Sequence, residues 1–362
     1  MKDPAHAPDP GGGWSASIRG FDNALIVPAV TRGELVQPCG VFAADGSFIK
    51  RGVVWRRGRA INTPPERPLG PVGRLAGSWL WGGILYGHFG HFLVESTARL
   101  WALPQLRGVV DGVVFAARNP NDPPELSSFQ SEVLRLMIGD TPVRLTADPL
   151  AVDRLEVPGQ GFGLGVISTA TDEFRAFIET DFARDIAPDG PPDLFISRSG
   201  LRMRQGGFVG ESILDARMEA AGYDVFHPEQ HDIATQIARY KAARRVVAID
   251  GSALHLYAMV ARTPQRAAVI LRRRSGLARG LLLHLRSFTG AKPLVIDSFS
   301  GEHKALGGKG LITDLDLTGV GAALHAGGFI DPPAPWGPLS PVESDLFEVE
   351  LTLAQMVTGQ SA

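Results

Sequence analysis

The spacing of apolar positions changes along this 362-residue chain. From residue 14 to about 80, short apolar runs alternate with turn residues, so 24–30, 40–42 and 48–54 read as strands of a β-rich entry region. Pro64, Pro65 and Pro68 mark a loop. Residues 88–103 then fit a helical period. Residues 109–116 are a Val- and Phe-rich run of the kind that makes a buried strand. Residues 127–138 predict a helix that Ser127 or Ser128 caps, 143–145 and 155–157 weak strands, and 172–186 another helix. Pro188 to Pro192 is a linker. Beyond it the pattern turns regular: strands at 193–197, 223–226, 245–249, 267–271 and 293–297 alternate with helices at 211–221, 233–243, 253–260 and 281–285. Such alternation predicts a parallel sheet with helices on both faces.

One predicted helix breaks the usual rule that charges scatter over a solvated face. Residues 88–95 read His-Phe-Gly-His-Phe-Leu-Val-Glu. His88 and His91 are three apart, His91 and Glu95 four apart, so a helix sets all three on one face, with Arg99 one turn further on. An ordinary Glu95–Arg99 ion pair, worth about 0.2–0.5 kcal/mol, accounts for part of the stripe. Two chemistries account for the rest. A neutral His91 oriented by a carboxylate can take a proton from a hydroxyl. Alternatively, His88, His91 and Glu95 are three ligands of a zinc ion with an open fourth position. Gly90 weakens the start of the helix. A start near Gly90 puts His91 in the first turn, where the helix dipole favours a neutral imidazole.

Composition narrows the classes. With 44% apolar residues the chain can bury a sizeable core, and its length has room for two domains. The formal net charge of −2 argues against a uniformly basic nucleic-acid-binding surface. The chain has 30 arginines and 6 lysines, and guanidinium forks suit phosphate. The local clusters Arg56-Arg57-Gly58-Arg59 and Arg272-Arg273-Arg274 read first as solvated faces. Cys39 is the single cysteine, so no intrachain disulfide forms, which fits a reducing compartment. Residues 1–13, rich in Pro, Gly and Asp, read as disordered, with no apolar core of a secretory signal. No apolar run approaches the ~20 residues of a membrane span. The expectation is a soluble, cytoplasmic protein, with peripheral attachment to the inner face of the membrane left open. The expected division is 14–187 as an N-terminal domain, 192–300 as a C-terminal one and 301–362 as an extension.

Ligands of parallel sheets bind beyond the carboxyl ends of strands. Two segments fall there: Ser197-Arg198-Ser199-Gly200-Leu201-Arg202, and Asp250-Gly251-Ser252-Ala253-Leu254-His255 between a strand and a helix. A helix N-terminus offers free amides to a phosphate, Gly251 permits close approach, and Arg198 can fork onto it. Taken together in one domain, they indicate a nucleotide or nucleotide-sugar site. The glycine-rich stretch at 159–165 lacks the lysine and serine of a phosphate loop and reads as an ordinary loop.

These blocks also carry a family likeness. His88 to Ser96 with Arg99 to Leu103, the strand Phe195-Ile196-Ser197-Arg198, Glu211, Gly222-Tyr223, Gln236 and the 250–255 turn resemble, in order, the motifs of glycosyltransferase family 61. Gly210 and Ser252 depart from its pattern. The resemblance implies an α/β, GT-B-like architecture, two Rossmann-like domains facing a cleft. It implies inverting transfer of a sugar from a nucleotide-sugar, a UDP-sugar favoured, to a glycan or glycolipid of a surface polysaccharide, with no cofactor and no obligatory metal. On that likeness His91 or Glu95, with His88 nearby, supplies the base. Arg198, Arg202, Asp250, Gly251, Ser252, Ala253 and His255 hold the donor, Glu211 its hydroxyls, and Lys241 is a weaker candidate. A metal-dependent hydrolase built on His88, His91 and Glu95 is the alternative, and a nucleotide-sugar-binding protein without turnover is another.

Overall fold

In the computed structural model the described residues are 7–120, 125–201, 206–272, 276–304, 311–331 and 336–358. Contacts divide the chain into two compact units, Met1–Asp185 and Ile186–Ala362.

The first unit is built on a six-stranded mixed sheet. Its strands are β1 (Ile18–Val27), β2 (Gly40–Phe42), β3 (Gly73–Leu85), β4 (Gly112–Ala117), β5 (Val143–Thr146) and β6 (Leu150–Pro158). Their order is β2-β1-β6-β3-β4-β5. The four strands β6, β3, β4 and β5 run parallel to one another, while β1 is antiparallel to both its neighbours. β4 is buried along its whole length, as its unbroken apolar run requires. Helix α1 (Ser128–Ile138) starts in a capping box between Ser127 and Gln130. Helix α2 (Asp172–Thr180) is capped by Thr171 and ends well short of residue 186. Ala183, just beyond it, has a positive φ of 52°, which a helix cannot accommodate. The run at 48–54 is not a strand either. Its middle, Lys50–Gly52, is a single 3-10 turn. Residues 7–13 form a turn in which the Asp9 amide donates to Ser15 Oγ at 3.1 Å.

The second unit carries a five-stranded, all-parallel sheet of β7 (Asp193–Ile196), β9 (Asp224–Phe226), β10 (Arg245–Ile249), β11 (Arg266–Ile270) and β12 (Leu294–Ile296), after β8 (Gly207–Val209) has branched off. The order is β9-β7-β10-β11-β12. Its helices are α3 (Glu211–Ala220), α4 (Ile233–Ala242), α5 (Ala253–Val260), α6 (Gly276–Thr289), α7 (Leu317–Ala326) and α8 (Pro341–Thr358). The alternation seen in the sequence is therefore present, with α6 longer than expected. Strand order reverses between β7 and β10, which makes the gap beyond their carboxyl ends a topological switch point. A second, three-stranded sheet joins β8 to β14 (Leu311–Leu315) and β13 (Phe299–Lys304). The segment expected to be a mere extension thus completes this unit: Leu317, Val320, Leu324, Phe329 and Ile330 share one buried cluster with Phe195, Val247 and Ile270.

Candidate functional site

β3 delivers the histidine block to the carboxyl end of the parallel strands. The continuous helix expected over 88–103 is instead three short turns. His88 stays extended at φ −84°, ψ 127°, and Phe89–His91 begins the first turn. Phe92–Ser96 then widens to π geometry, with the Thr97 amide reaching back to the Phe92 carbonyl at 3.3 Å. A 3-10 stretch, Leu100–Leu106, contains Pro104. Phe89 and Phe92 anchor the segment edge-on against Phe129 of α1, at 5.5 and 5.6 Å between ring centroids. Such single π turns recur at functional sites.

The turn keeps His91 and Glu95 paired and leaves His88 out. His91 Nδ1 lies 2.8 Å from Glu95 Oε2. His88 is exposed, its ring 5.3 Å from that of His91. The expected Glu95–Arg99 pair does not form. Glu95, fully buried, takes Arg56 instead, which donates Nε to Oε1 at 2.7 Å and Nη2 to Oε2 at 2.5 Å. Arg99, also fully buried, donates to the carbonyls of Arg51 and Val53. Burial alone would raise the Glu95 pKa, but the His91 and Arg56 hydrogen bonds and the Arg56 charge outweigh it and hold the group below its ordinary value. Glu95 is thus an ionised carboxylate with both oxygens engaged. His91, with its side chain 34% exposed against 0% for Glu95, is the member of the pair that solvent reaches.

Sequence reasoning placed Arg56 in a solvated cluster. The structure places it on a two-stranded hairpin, Trp55–Arg56 with Arg59–Ala60, turned by Arg57 and Gly58 at φ 52° and 76°. The glycine-rich loop docks this hairpin: Arg57 N donates to the Leu164 carbonyl, and Gln160 bonds Trp55 through both its amide nitrogen and oxygen. A Cβ at Gly165 would come within 2.6 Å of Arg57 Cα. The stretch at 159–165 is therefore a packing loop, and the Arg56 guanidinium it positions stacks 5.4 Å from the Tyr86 ring centroid. The one signal available in sequence was the apolar run Val53-Val54-Trp55 in front of Arg56.

The hydrolase alternative needs His88, His91 and Glu95 to converge on one metal. His88 lies outside the turn and the Glu95 oxygens are occupied. Among the described residues no group of three His, Cys, Asp or Glu side chains is arranged to hold a metal ion. A groove of about 500 Å³ elsewhere in this unit is lined by Leu103, Arg107, Met137, Phe177 and Asp181 and includes none of His88, His91 and Glu95.

The second cluster sits at the switch point. Arg198 follows β7 and Gly251 follows β10, and a Cβ at Gly251 would meet Arg198 Nη1 at 2.6 Å. Gly251, Ser252 and Ala253 are each partly exposed at the start of α5, where the first amides have no intrahelical partner. Ser252 makes no capping bond with its side chain. Asp250 is spent within the protein: Arg272 donates Nε to its carboxylate at 3.0 Å and to its carbonyl at 2.7 Å. Arg272, read in the sequence as a solvated residue, is 5% exposed. His255 Nδ1 lies 2.8 Å from Nδ1 of the buried His284, so that ring nitrogen is also taken. Lys241 donates to the Ile186 carbonyl, and Gln236 to those of Pro228 and His231. Arg202 lies outside the described residues.

Glu211 opens α3 behind a left-handed Gly210 at φ 97°, and accepts from the Phe208 amide at 3.1 Å. Burial pushes its pKa up to about 7, against the opposing charges of Arg198 and Arg272. One turn later Asp215, missed in the sequence, accepts from the Ser197 and Ser199 hydroxyls at 2.7 and 2.5 Å, and burial raises its pKa as well. The Ser-x-Ser spacing after β7 was the visible trace of that carboxylate.

No curated protein matches the chain. A model of the Glycosyltransferase 61 family matches residues 89–270, just over half its length. That span opens at Phe89, two residues before His91, runs through Arg198 and Glu211, and closes at the end of β11. The ordered motifs and the span of the match agree: the chain belongs to glycosyltransferase family 61.

Proposed function

We propose that this glycosyltransferase is an inverting enzyme that moves a sugar from a nucleotide-sugar, a UDP-sugar by preference, to a hydroxyl of a glycan or glycolipid in surface polysaccharide assembly. The observation that carries the proposal is the His91–Glu95–Arg56 chain: a reachable imidazole held by a buried, ionised carboxylate. A carboxylate on Nδ1 selects the tautomer with its proton there, leaving the Nε2 lone pair for a substrate. In this reading His91 takes the acceptor proton as the hydroxyl oxygen attacks the anomeric carbon. The bond to the diphosphate breaks on the opposite side. Arg198 and the amides of residues 251–253 receive the developing negative charge. Glu95 orients the base and does not touch the acceptor. Glu211 binds donor hydroxyls. Arginine and amide charge removes the need for a metal ion. Such an enzyme works in the cytoplasm at the inner face of the membrane; among the described residues no helix is long and apolar enough to cross it.

The test separates the two clusters. The full chain is titrated with UDP-, GDP- and CMP-sugars by calorimetry, and transfer is then followed with the donor that binds. His91→Gln should leave donor affinity within about twofold and cut transfer by roughly 10²–10⁴-fold, the usual range for losing a general base. Arg198→Ala should weaken donor binding itself. Full turnover in His91→Gln, or no binding of any nucleotide-sugar, overturns the proposal. Donor binding without turnover by the wild type on any glycan acceptor would favour a binding protein instead.

A further inference from the structure

Helix α8 has two apolar faces, and among the described residues one of them is packed. Phe347, Leu351 and Ala354 pack on Val209 and Ile312. Glu350, on the same side, accepts from the Gly210 amide and from Ser212. On the other side Val342, Leu346, Val349, Leu353 and Met356 stand 76%, 39%, 56%, 49% and 72% exposed. Their spacing is four, three, four, three. That is the seam of a two-stranded coiled coil, with Leu346 and Leu353 at one core position and Val342, Val349 and Met356 at the other.

Charge says what covers the seam. The helix has no lysine or arginine, and its acids, Glu343, Asp345, Glu348 and Glu350, all lie in the first ten residues. An anionic membrane surface is thereby disfavoured, as is a parallel pairing that lays one acidic half along another. An antiparallel pairing of two copies sets each acidic half against the uncharged half of the other. Two registers pair four core positions of each helix. The one that sets Leu346 opposite Val349 brings Asp345 near Glu350 of the second copy and Glu348 near its own equivalent. The one that sets Val349 opposite Leu353, and Leu346 opposite Met356, puts Asp345 and Glu348 beside uncharged residues and leaves near the two-fold axis only Glu350, whose carboxylate is held by Gly210 and Ser212 on the packed side of the helix. We infer that the protein self-associates through α8, antiparallel and two-fold, in this second register. A two-fold contact is self-complementary and closes at two copies. At 1.5 Å per residue the 18-residue helix is about 27 Å long, so the seam covers roughly 300 Å² per copy. A stable interface needs about 800 Å² per copy, so the dimer is weak and reversible.

The test is sedimentation velocity on the full chain from low micromolar to several hundred micromolar. The weight-average mass should climb from one copy toward two with concentration, and Val349→Glu should hold it at one copy with an unchanged melting temperature. Orientation is read by oxidation. Cys39 is buried and does not interfere. Leu346→Cys and Met356→Cys chains should each stay uncrosslinked alone and form a disulfide when mixed. A wild type that stays monomeric throughout overturns the inference. So does a Val349→Glu chain with unchanged self-association, which would place the contact elsewhere. Self-crosslinking of Leu346→Cys overturns the antiparallel register. Monomers whose Val349→Glu variant melts earlier would mean that the chain itself covers the stripe.

Discussion

Glu211→Gln offers the sharpest test of the second cluster. The side chain is 9% exposed, and burial raises its pKa from an ordinary 4.5 to about 7. A carboxyl with a raised folded pKa binds more protons folded than unfolded, so stability falls as pH rises from about 4.5 to about 7 and is flat above. A shift of that size corresponds to about 3 kcal/mol at full ionisation. The glutamine introduced by Glu211→Gln can still accept from the Phe208 amide and carries no charge to desolvate. The variant should therefore match the wild type near pH 5 and exceed it at pH 8. Because the chain has two units, global unfolding is a poor readout, and amide exchange of the β10 strand in the second unit is a better one. Protection of residues 245–249 should rise by about two orders of magnitude over wild type at pH 8 and by little at pH 5. Equal protection in both proteins at both pH values would refute the reasoning. The same shift bears on ligand binding. An anion beside Arg198 favours protonated Glu211, so wild-type affinity for UDP should weaken as pH climbs past 7, and Glu211→Gln should remove that slope.

The first unit and the turn before α3 give further expectations. Arg56→Ala strands the buried Glu95 charge and should destabilise the first unit by about 3–5 kcal/mol, read from amide exchange of β4. Arg56→Lys keeps a charge but not the fork, and should lose transfer rate with unchanged donor affinity. Glu95 is held below its ordinary value of 4.5, so its stabilisation is full above that pH and lost as pH falls through the folded value. The melting-temperature gap between wild type and Glu95→Gln should close on acidification. Gly210→Ala forces a left-handed φ of 97° and brings a Cβ within 3.3 Å of Phe347, so it should cost about 1–2 kcal/mol, and Gly210→Asn, whose side chain tolerates that region, less.

What the sequence disclosed follows from what each signal measures. Alternating periods report burial, and burial built the five-stranded parallel sheet of the second unit as read, including the turns that bring Arg198 to Gly251. Helical spacing reported the His91–Glu95 pair correctly because four residues span a π turn nearly as they span an α turn. It misled for His88, which precedes the turn, and for Arg99, which follows it. The partners that complete the clusters lie 39 residues from Glu95 and 22 from Asp250. No local pattern carries such a pairing. A basic run looks the same whether it faces water or a buried carboxylate, so Arg56 and Arg272 became visible only when the fold closed.

The arginine bias gains a second explanation here. It was read as a supply of phosphate-binding forks, yet several guanidiniums are buried staples. Arg99 donates one nitrogen to two carbonyls, of Arg51 and Val53 at 3.0 and 2.7 Å. Arg51 in turn bonds the Trp14 and Ser17 carbonyls and the Ser17 hydroxyl. The pair ties the histidine block to the loop before the Arg56 hairpin and to the start of β1. Burial, with the charge of Arg51 close by, pulls the Arg99 pKa down to about 9, which leaves it cationic at neutral pH. Lysine has the charge but a shorter reach, and in the same cavity its ammonium is far more readily neutralised. Arg99→Lys should therefore lose both carbonyl bonds, at about 1.5–3 kcal/mol for a charged donor, and loosen the hairpin. The expected result is a lower melting temperature together with faster exchange of residues 53–57. A variant that keeps wild-type exchange there would show that the glycine-rich loop alone holds Arg56 in place.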